Sequence, residues 1–209
     1  MNQYFMTGTD TGVGKTLASA ILMYVLKAKY WKPIQSGIKD EISDLLQIKN
    51  LTGFSDDFFI PSVYRFQASL SPDQAAALEN TEIDLSHFNQ TWNHSTIVEG
   101  AGGIFVPLNQ RHLQVDLMSQ LKLPVIIVAR GTLGTINHTL LTIEGLRQKN
   151  ISIQGIVFSG KLNPDNQTAI EKWGQVKTLF HIPFFEKVNK ESLKHWIFKN
   201  NNKILEALK

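Results

Sequence analysis

The sequence predicts an α/β protein in which a mostly parallel sheet carries helices on both faces, within one domain spanning residues 1–209. Three observations carry that expectation. Short apolar runs rich in Val and Ile end in glycine-rich turns, the pattern of strands covered on both faces. Segments of helical periodicity stand between those runs, and such alternation builds a parallel sheet. The length of 209 residues suits a single domain with a full core.

The elements follow in chain order. Tyr4-Phe5-Met6 reads as a strand ending at a Gly/Thr-rich turn. Lys15 to Lys29 reads as a helix with Leu17, Ile21, Leu22, Val25 and Leu26 on one side. Thr52 to Asn93 is polar with weak periodicity, and is expected to hold loops and short helices that cover a site. Thr96-Ile97-Val98 ends at Glu99-Gly100-Ala101-Gly102-Gly103, and Pro124 to Ala129 ends at Arg130-Gly131. Ile136 to Gln148 is helical, with Leu140, Ile143 and Leu146 spaced for one face. Ile153 to Phe158 is a strand ending at Ser159-Gly160. A helix opens at Pro164, since proline suits a first turn, and a last helix covers Leu193 to Leu208. In sheets of this kind ligands bind beyond the carboxyl ends of the strands, where the glycine-rich turns fall.

Composition excludes several classes. Hydrophobic residues make up 43% and charged residues 19%, so the chain is neither disordered nor built to cross a membrane. No apolar run approaches the ~20 residues a membrane span needs, and the start lacks the basic and apolar regions of a signal peptide. A cytoplasmic protein is expected. With no cysteine, disulfide frameworks, thiolate metal sites and cysteine nucleophiles are all excluded. The net charge of +3 concentrates from Lys187 onward, where six lysines, Lys187 included, face Glu191 and Glu206. We read this as the solvated face of a terminal helix, with neither nucleic acid nor membrane as a partner.

The strongest motif is Gly8-Thr9-Asp10-Thr11-Gly12-Val13-Gly14-Lys15-Thr16. It follows a strand and opens a helix, which is the setting a phosphate-binding P-loop requires. Glycines let backbone N–H groups turn inward on phosphate oxygens, and the helix amino end adds partial positive charge. Lys15 is placed for the β- and γ-phosphates and Thr16 for Mg²⁺. Gly8 lies one position too early for the usual template, so Thr9 holds its first glycine slot.

Other strand ends supply candidate partners. Glu99 follows a buried strand and suits a Mg²⁺-organising carboxylate; Gly100, Gly102 and Gly103 let backbone approach a ligand. Lys32-Pro33-Ile34-Gln35-Ser36-Gly37 offers a lysine for a transferring phosphoryl group and a serine for an anionic substrate, although a surface turn reads equally well. Asp44 reads first as a helix-start carboxylate. The six histidines show no zinc-site spacing.

Taken in order, the P-loop, Lys32-Pro33-Ile34-Gln35-Ser36-Gly37, Glu99-Gly100-Ala101-Gly102-Gly103 and Leu133-Gly134-Thr135-Ile136-Asn137-His138 resemble the dethiobiotin synthetase family over nearly the whole chain. The resemblance implies an ATP- and Mg²⁺-dependent ligase of biotin biosynthesis. Its substrates are 7,8-diaminononanoate, CO₂ or bicarbonate, and ATP. It implies catalytic roles for Lys15, Lys32 and Ser36, and a Mg²⁺ site of Thr16, Asp44 and Glu99. Thr11, Gly12, Val13, Gly14, Lys15 and Thr16 would hold the nucleotide, with Glu99, Ser159 and Pro183. Ser36, Gly102, Gly103, Gly134 and Asn137 would contact the diamine, near the interface of a homodimer.

The chain departs from the family pattern at Asp73, where a histidine is frequent, at Ser159, where an asparagine helps recognise adenine, and at His181 before Ile182-Pro183. The last two fall on the base side and imply relaxed selectivity among nucleoside triphosphates. A ParA/MinD-type regulatory ATPase is the alternative, but Thr9-Asp10-Thr11-Gly12 lacks the early lysine those loops carry. A cobyrinate-type amidotransferase would need a further domain and a cysteine, and an idle nucleotide-binding module would not need this full residue set.

Overall fold

The structure is a computed structural model that describes residues 1–39 and 43–209. Its strands are β1 (Gln3–Gly8), β2 (Lys29–Trp31), β3 (Ile34–Gln35), β4 (Phe59–Ile60), β5 (Tyr64–Arg65), β6 (Thr96–Glu99), β7 (Val125–Gly131), β8 (Ile153–Leu162) and β9 (Thr178–Ile182). Its helices are α1 (Lys15–Leu26), α2 (Asp44–Thr52), α3 (Pro72–Leu78), α4 (Gln114–Leu121), α5 (Thr135–Gln148), α6 (Pro164–Gly174) and α7 (Lys190–Ala207). Among the described residues, seven strands form one parallel sheet in the order β4-β2-β6-β1-β7-β8-β9, and β3 pairs with β5 beside it.

The apolar runs are explained by a core on each side of the sheet. Phe5, Val98, Val125, Ile127 and Ala129 face a cluster closed by α3, α4, α5 and α6. Their neighbours Tyr4, Met6, Ile97, Ile126 and Val128 face the opposite cluster, closed by α1, α2 and α7. Alternate side chains of each strand point to opposite faces, so both sets must be apolar and no hydrophobic–polar alternation survives.

Three expectations shift. Helix α1 ends at Leu26, where Lys27 turns left-handed at φ +49°, and Lys29 instead opens β2. Helix α1 is buried on almost every side from Ala18 to Met23, while Leu17, Val25 and Leu26 are only partly buried. Small residues at Ala18, Ser19 and Ala20 let the sheet, α2 and α7 approach it closely, so its burial does not follow an amphipathic stripe. Strand β8 runs through Ser159-Gly160 to Leu162 and does not end there. An irregularity in its pairing with β7 between Arg130 and Gly131, with Gly160 at φ +83°, lets it continue.

The lysine-rich end forms α7, whose Lys190, Lys194, Lys199 and Lys203 are exposed while Leu193, Ile197 and Ile204 pack inward. Residues 52–93 hold α3, two short 3₁₀ turns and the brief strands β4 and β5. Among the described residues no helix is long and apolar enough to cross a membrane.

The sheet order positions the site. From β1 the chain crosses over β6 to reach β2, and from β6 it crosses over β1 to reach β7. Their connections leave in opposite directions, so the carboxyl ends of β1 and β6 form a switch point. Gly8 ends β1 and Glu99 ends β6.

Candidate active site

The loop after β1 turns on Gly12 (φ +71°) and Gly14 (φ +96°), both left-handed, and Gly14 caps α1. Backbone holds its base: Thr9 N–H donates to Val128 O at 3.0 Å, and Gly8 N–H to Gly102 O at 3.4 Å. The Lys15 side chain folds back over Gly8, and its ammonium donates to Asp10 O at 3.1 Å. Asp10 also accepts from Thr11 N–H at 2.7 Å and pairs with Arg130 at the end of β7. Burial lowers the Lys15 ammonium from the ordinary lysine range, aided by Lys32 and opposed by Glu99, Asp44 and Asp10.

Beyond the first turn of α1 lies a charged cluster. Glu99 is 1% exposed. Its Oε2 accepts from Ser19 Oγ at 2.6 Å, and its Oε1 lies 3.3 Å from both Thr16 Oγ1 and Lys32 Nζ. Thr16 Oγ1 donates to Asp44 Oδ1 at 2.6 Å, and Lys32 forms an ion pair with the other Asp44 oxygen. Lys32 is itself buried. Burial alone would lower its ammonium, but Glu99 and then Asp44 outweigh that and raise it. Burial would raise the Asp44 carboxyl, but Lys32, Thr16 and Gln35 together hold it below the usual carboxylate range. The phenol of Tyr30 is buried beside them, and burial, with Glu99 and Asp44, pushes it well above the usual tyrosine value.

One cation thus neutralises two carboxylates supplied from β6 and the start of α2. The oxygen set of Thr16, Asp44 and Glu99 fits Mg²⁺, a hard cation bound through one or two carboxylates together with phosphates and water. Among the described residues no group of three or more His, Asp or Glu gathers as a ready-made cage.

The expected residues fall into four places. Lys15, Thr16, Lys32, Asp44 and Glu99 converge in the cluster, with Ser36 next along the chain from Gln35. Ser159 stands against the P-loop: a Cβ on Gly14 would meet its Oγ at 2.5 Å. Pro183 follows β9, whose Ile182 is in register with Ser159, and His181 Nε2–H donates to Gly160 O at 2.6 Å. Gly102 (φ +67°) and Gly103 lie against the P-loop base. A groove of ≈ 390 Å³ runs between Thr9–Thr11, Gly103–Pro107 and His138–Leu141. Gly134 and Asn137 lie apart, at the exposed amino end of α5.

Two partners escaped the sequence reading. Ser19 follows Thr16 by one helical turn, the only signal that it shares that face. Arg130 follows an apolar strand run with no local sign of a partner, and its pairing with Asp10 joins residues 120 apart.

The fold and this site define a P-loop nucleotide-binding protein. A family model described as an AAA domain matches residues 2–192. The ATP-dependent dethiobiotin synthetase BioD of Brucella ovis is 39% identical over 201 residues, 95% of this chain and 94% of that one. That of Bradyrhizobium diazoefficiens is 41% identical over 190 residues, 90% of each. The biotin biosynthesis bifunctional protein BioCD of Bordetella avium is 42% identical over 193 residues; these cover 92% of this chain but 42% of that longer protein. The chain belongs to the dethiobiotin synthetase family. Among solved structures, a ParA family ATPase from Chlorobium tepidum aligns with TM-score 0.54 at 14% identity, covering 100% of this chain and 98% of that one. A putative plasmid partition protein from Borrelia burgdorferi aligns at 0.55 and 16%, covering 99% and 97%. These two show the shared fold.

Proposed function

We propose that this chain is an ATP-dependent dethiobiotin synthetase, an enzyme that closes the ureido ring from 7,8-diaminononanoate and CO₂, with residues 1–209 acting as one domain. Family membership supports the reaction. The observation that carries the site assignment is the convergence of Lys15 and Lys32 with Thr16, Asp44 and Glu99 beyond β1 and β6.

One amine attacks CO₂, forming an N–C bond and losing a proton to give a carbamate. A carbamate oxygen then attacks the γ-phosphorus as the bond to the bridging β-oxygen breaks, and ADP leaves. The second amine attacks the carbonyl carbon, a proton is lost, and phosphate leaves as the ring closes. No protein nucleophile is required, in keeping with a chain that has no cysteine. Two anions must be held in contact, and their repulsion at 4 Å is on the order of 4 kcal/mol at the effective dielectric of a protein surface.

Lys15 and Lys32 would offset that repulsion, and Ser36 would donate to the carbamate. Thr11, Gly12, Val13 and Gly14 would present backbone to the triphosphate. Thr16, Asp44 and Glu99 would hold Mg²⁺, which when bound screens the phosphate charge. Lys32 would then move from its ion pairs toward the substrate. Ser159 and Pro183 would flank the base, and Gly102 and Gly103 would approach the diamine.

A homodimer would complete the substrate site. The exposed turn with Gly134 and Asn137 opens α5, and a helix amino end favours a carboxylate. Leu133 beside it is 98% exposed and Leu141 on the same helix is 58% exposed, apolar surface that a second copy would cover. The setting we propose is cytoplasmic.

The test is product formation. Protein incubated with 7,8-diaminononanoate, bicarbonate, Mg²⁺ and each nucleoside triphosphate in turn should yield dethiobiotin by mass spectrometry, with one phosphate released per ring. Folded, nucleotide-binding protein that makes none would overturn the reading.

A further inference from the structure

Gln35 sits between Lys32 and Ser36 at the end of β3 and is buried. Its Nε2 donates to Ser36 O at 2.7 Å, and it helps hold the Asp44 carboxyl in its ionised form. Both neighbours only accept, so the amide can take one orientation: nitrogen toward them, Oε1 away. Oε1 is buried and has no partner among the described residues. Ser36 Oγ, on the next residue, is buried and unpartnered as well. Unpaired buried polar atoms are costly, and two on consecutive residues beside a charged cluster call for a ligand.

Their chemistry specifies what that ligand presents. Gln35 Oε1 accepts only, Ser36 Oγ–H donates, and the Lys32 ammonium donates. A carbamate, R–NH–CO₂⁻, matches this set: an N–H for the acceptor and anionic oxygens for the two donors. We propose that Gln35 is a substrate-binding residue whose Oε1 accepts the carbamate N–H while Ser36 and Lys32 donate to its oxygens. This inference rests on the function proposed above. The contact also aids the chemistry. An acceptor on the N–H pushes nitrogen electron density toward the carbamate oxygens, the atoms that attack phosphorus. The proton stays on nitrogen throughout, so no further reactant is required.

The test pairs kinetics with spectroscopy. Gln35→Met keeps the side-chain length and removes the acceptor, together with the Nε2 donor to Ser36 O and Asp44. It should lower kcat/KM for the diamine by about 10- to 100-fold, the range expected for one lost polar contact, and change the KM for ATP by much less than that. With ¹³C-bicarbonate, ¹⁵N-labelled diamine and no ATP, wild-type protein should show a bound carbamate whose N–H exchanges slowly with solvent. That second measurement stands even if the variant does not fold. Unchanged diamine kinetics, a change confined to ATP and Mg²⁺ dependence, or an N–H that exchanges as fast as in free carbamate would each overturn the role of Gln35. Wild-type protein that makes no dethiobiotin would instead overturn the function itself, and this inference with it.

Discussion

The Lys15 ammonium lies 2.9 Å from the point at which a side chain on Gly8 would begin. The Asp10 carbonyl oxygen lies 2.7 Å from that point, and Val13 Cγ2 lies 2.8 Å from it. Gly8 is off the usual P-loop register, and this crowding gives its physical reason: the lysine needs the space. Gly8→Ala should therefore displace Lys15 and the Asp10 backbone together. We expect ATP affinity to fall about tenfold, with a stability loss of about 1–3 kcal/mol from overpacking. Calorimetric titration and thermal unfolding check both, and an unchanged ATP affinity would contradict the crowding argument.

Lys32 neutralises Asp44 and Glu99, so its removal affects more than chemistry. Lys32→Met should abolish ring closure and destabilise the protein by about 3–5 kcal/mol, because two carboxylates lose their cation. Denaturant unfolding at neutral pH gives the number. A variant as stable as wild type would show that the ion pairs are not maintained in solution.

The same cluster sets an acid limit. The folded-state carboxyl of Asp44 is held below its unfolded value. Its contribution to stability is therefore fully present above about pH 4 and is lost as pH falls through the lowered value. In Lys32→Met the depression largely disappears, so acid unfolding followed by fluorescence of the buried Trp31 should shift less with Asp44→Asn than it does in wild type.

Ser19→Ala removes the 2.6 Å donor to Oε2 of the buried Glu99 carboxylate. The expected cost is about 1.5–3 kcal/mol. Activity should fall less than in Lys32→Met, because the partner of Glu99 Oε1 remains. Chemical denaturation and steady-state rates at saturating substrate measure the two effects.

On the side proposed for the base, Ser159 packs against Gly14 and offers a short hydroxyl. We expect wild-type protein to use ATP, GTP and CTP within about tenfold of one another, and Ser159→Asn to favour ATP by about tenfold more. Strict ATP use by wild type across a triphosphate panel would remove Ser159 as the determinant.

What could be read from the sequence divides along physical lines. The P-loop was legible because its residues are contiguous and each does a distinct job on one ligand. Glu99 was legible because an acid directly after a buried strand needs a partner. Asp44 and Lys32 rose above a capping acid and a surface turn only through the family resemblance, since their pairing depends on how the start of α2 is set against the end of β2. Ser19 looked like any small helical residue, and Gln35 like any turn residue. Strands β4 and β5 are two residues long, too short for periodicity to register. The course of β8 past Ser159 turns on pairing with β7, which local pattern does not encode.

The place of β1 at the middle of the sheet also has a consequence for biosynthesis. Gln3–Gly8 pairs on one side with Thr96–Glu99 and on the other with Val125–Val128. The ribosome therefore delivers the complete phosphate loop before the two strands that must flank it, the second of them on the order of 10 s later at typical elongation rates. Until then the nascent chain carries the motif with nothing to shape it. Nucleotide could not chaperone the early segment into place, and capture of ATP would report that translation had passed Val128, well after the motif itself had emerged.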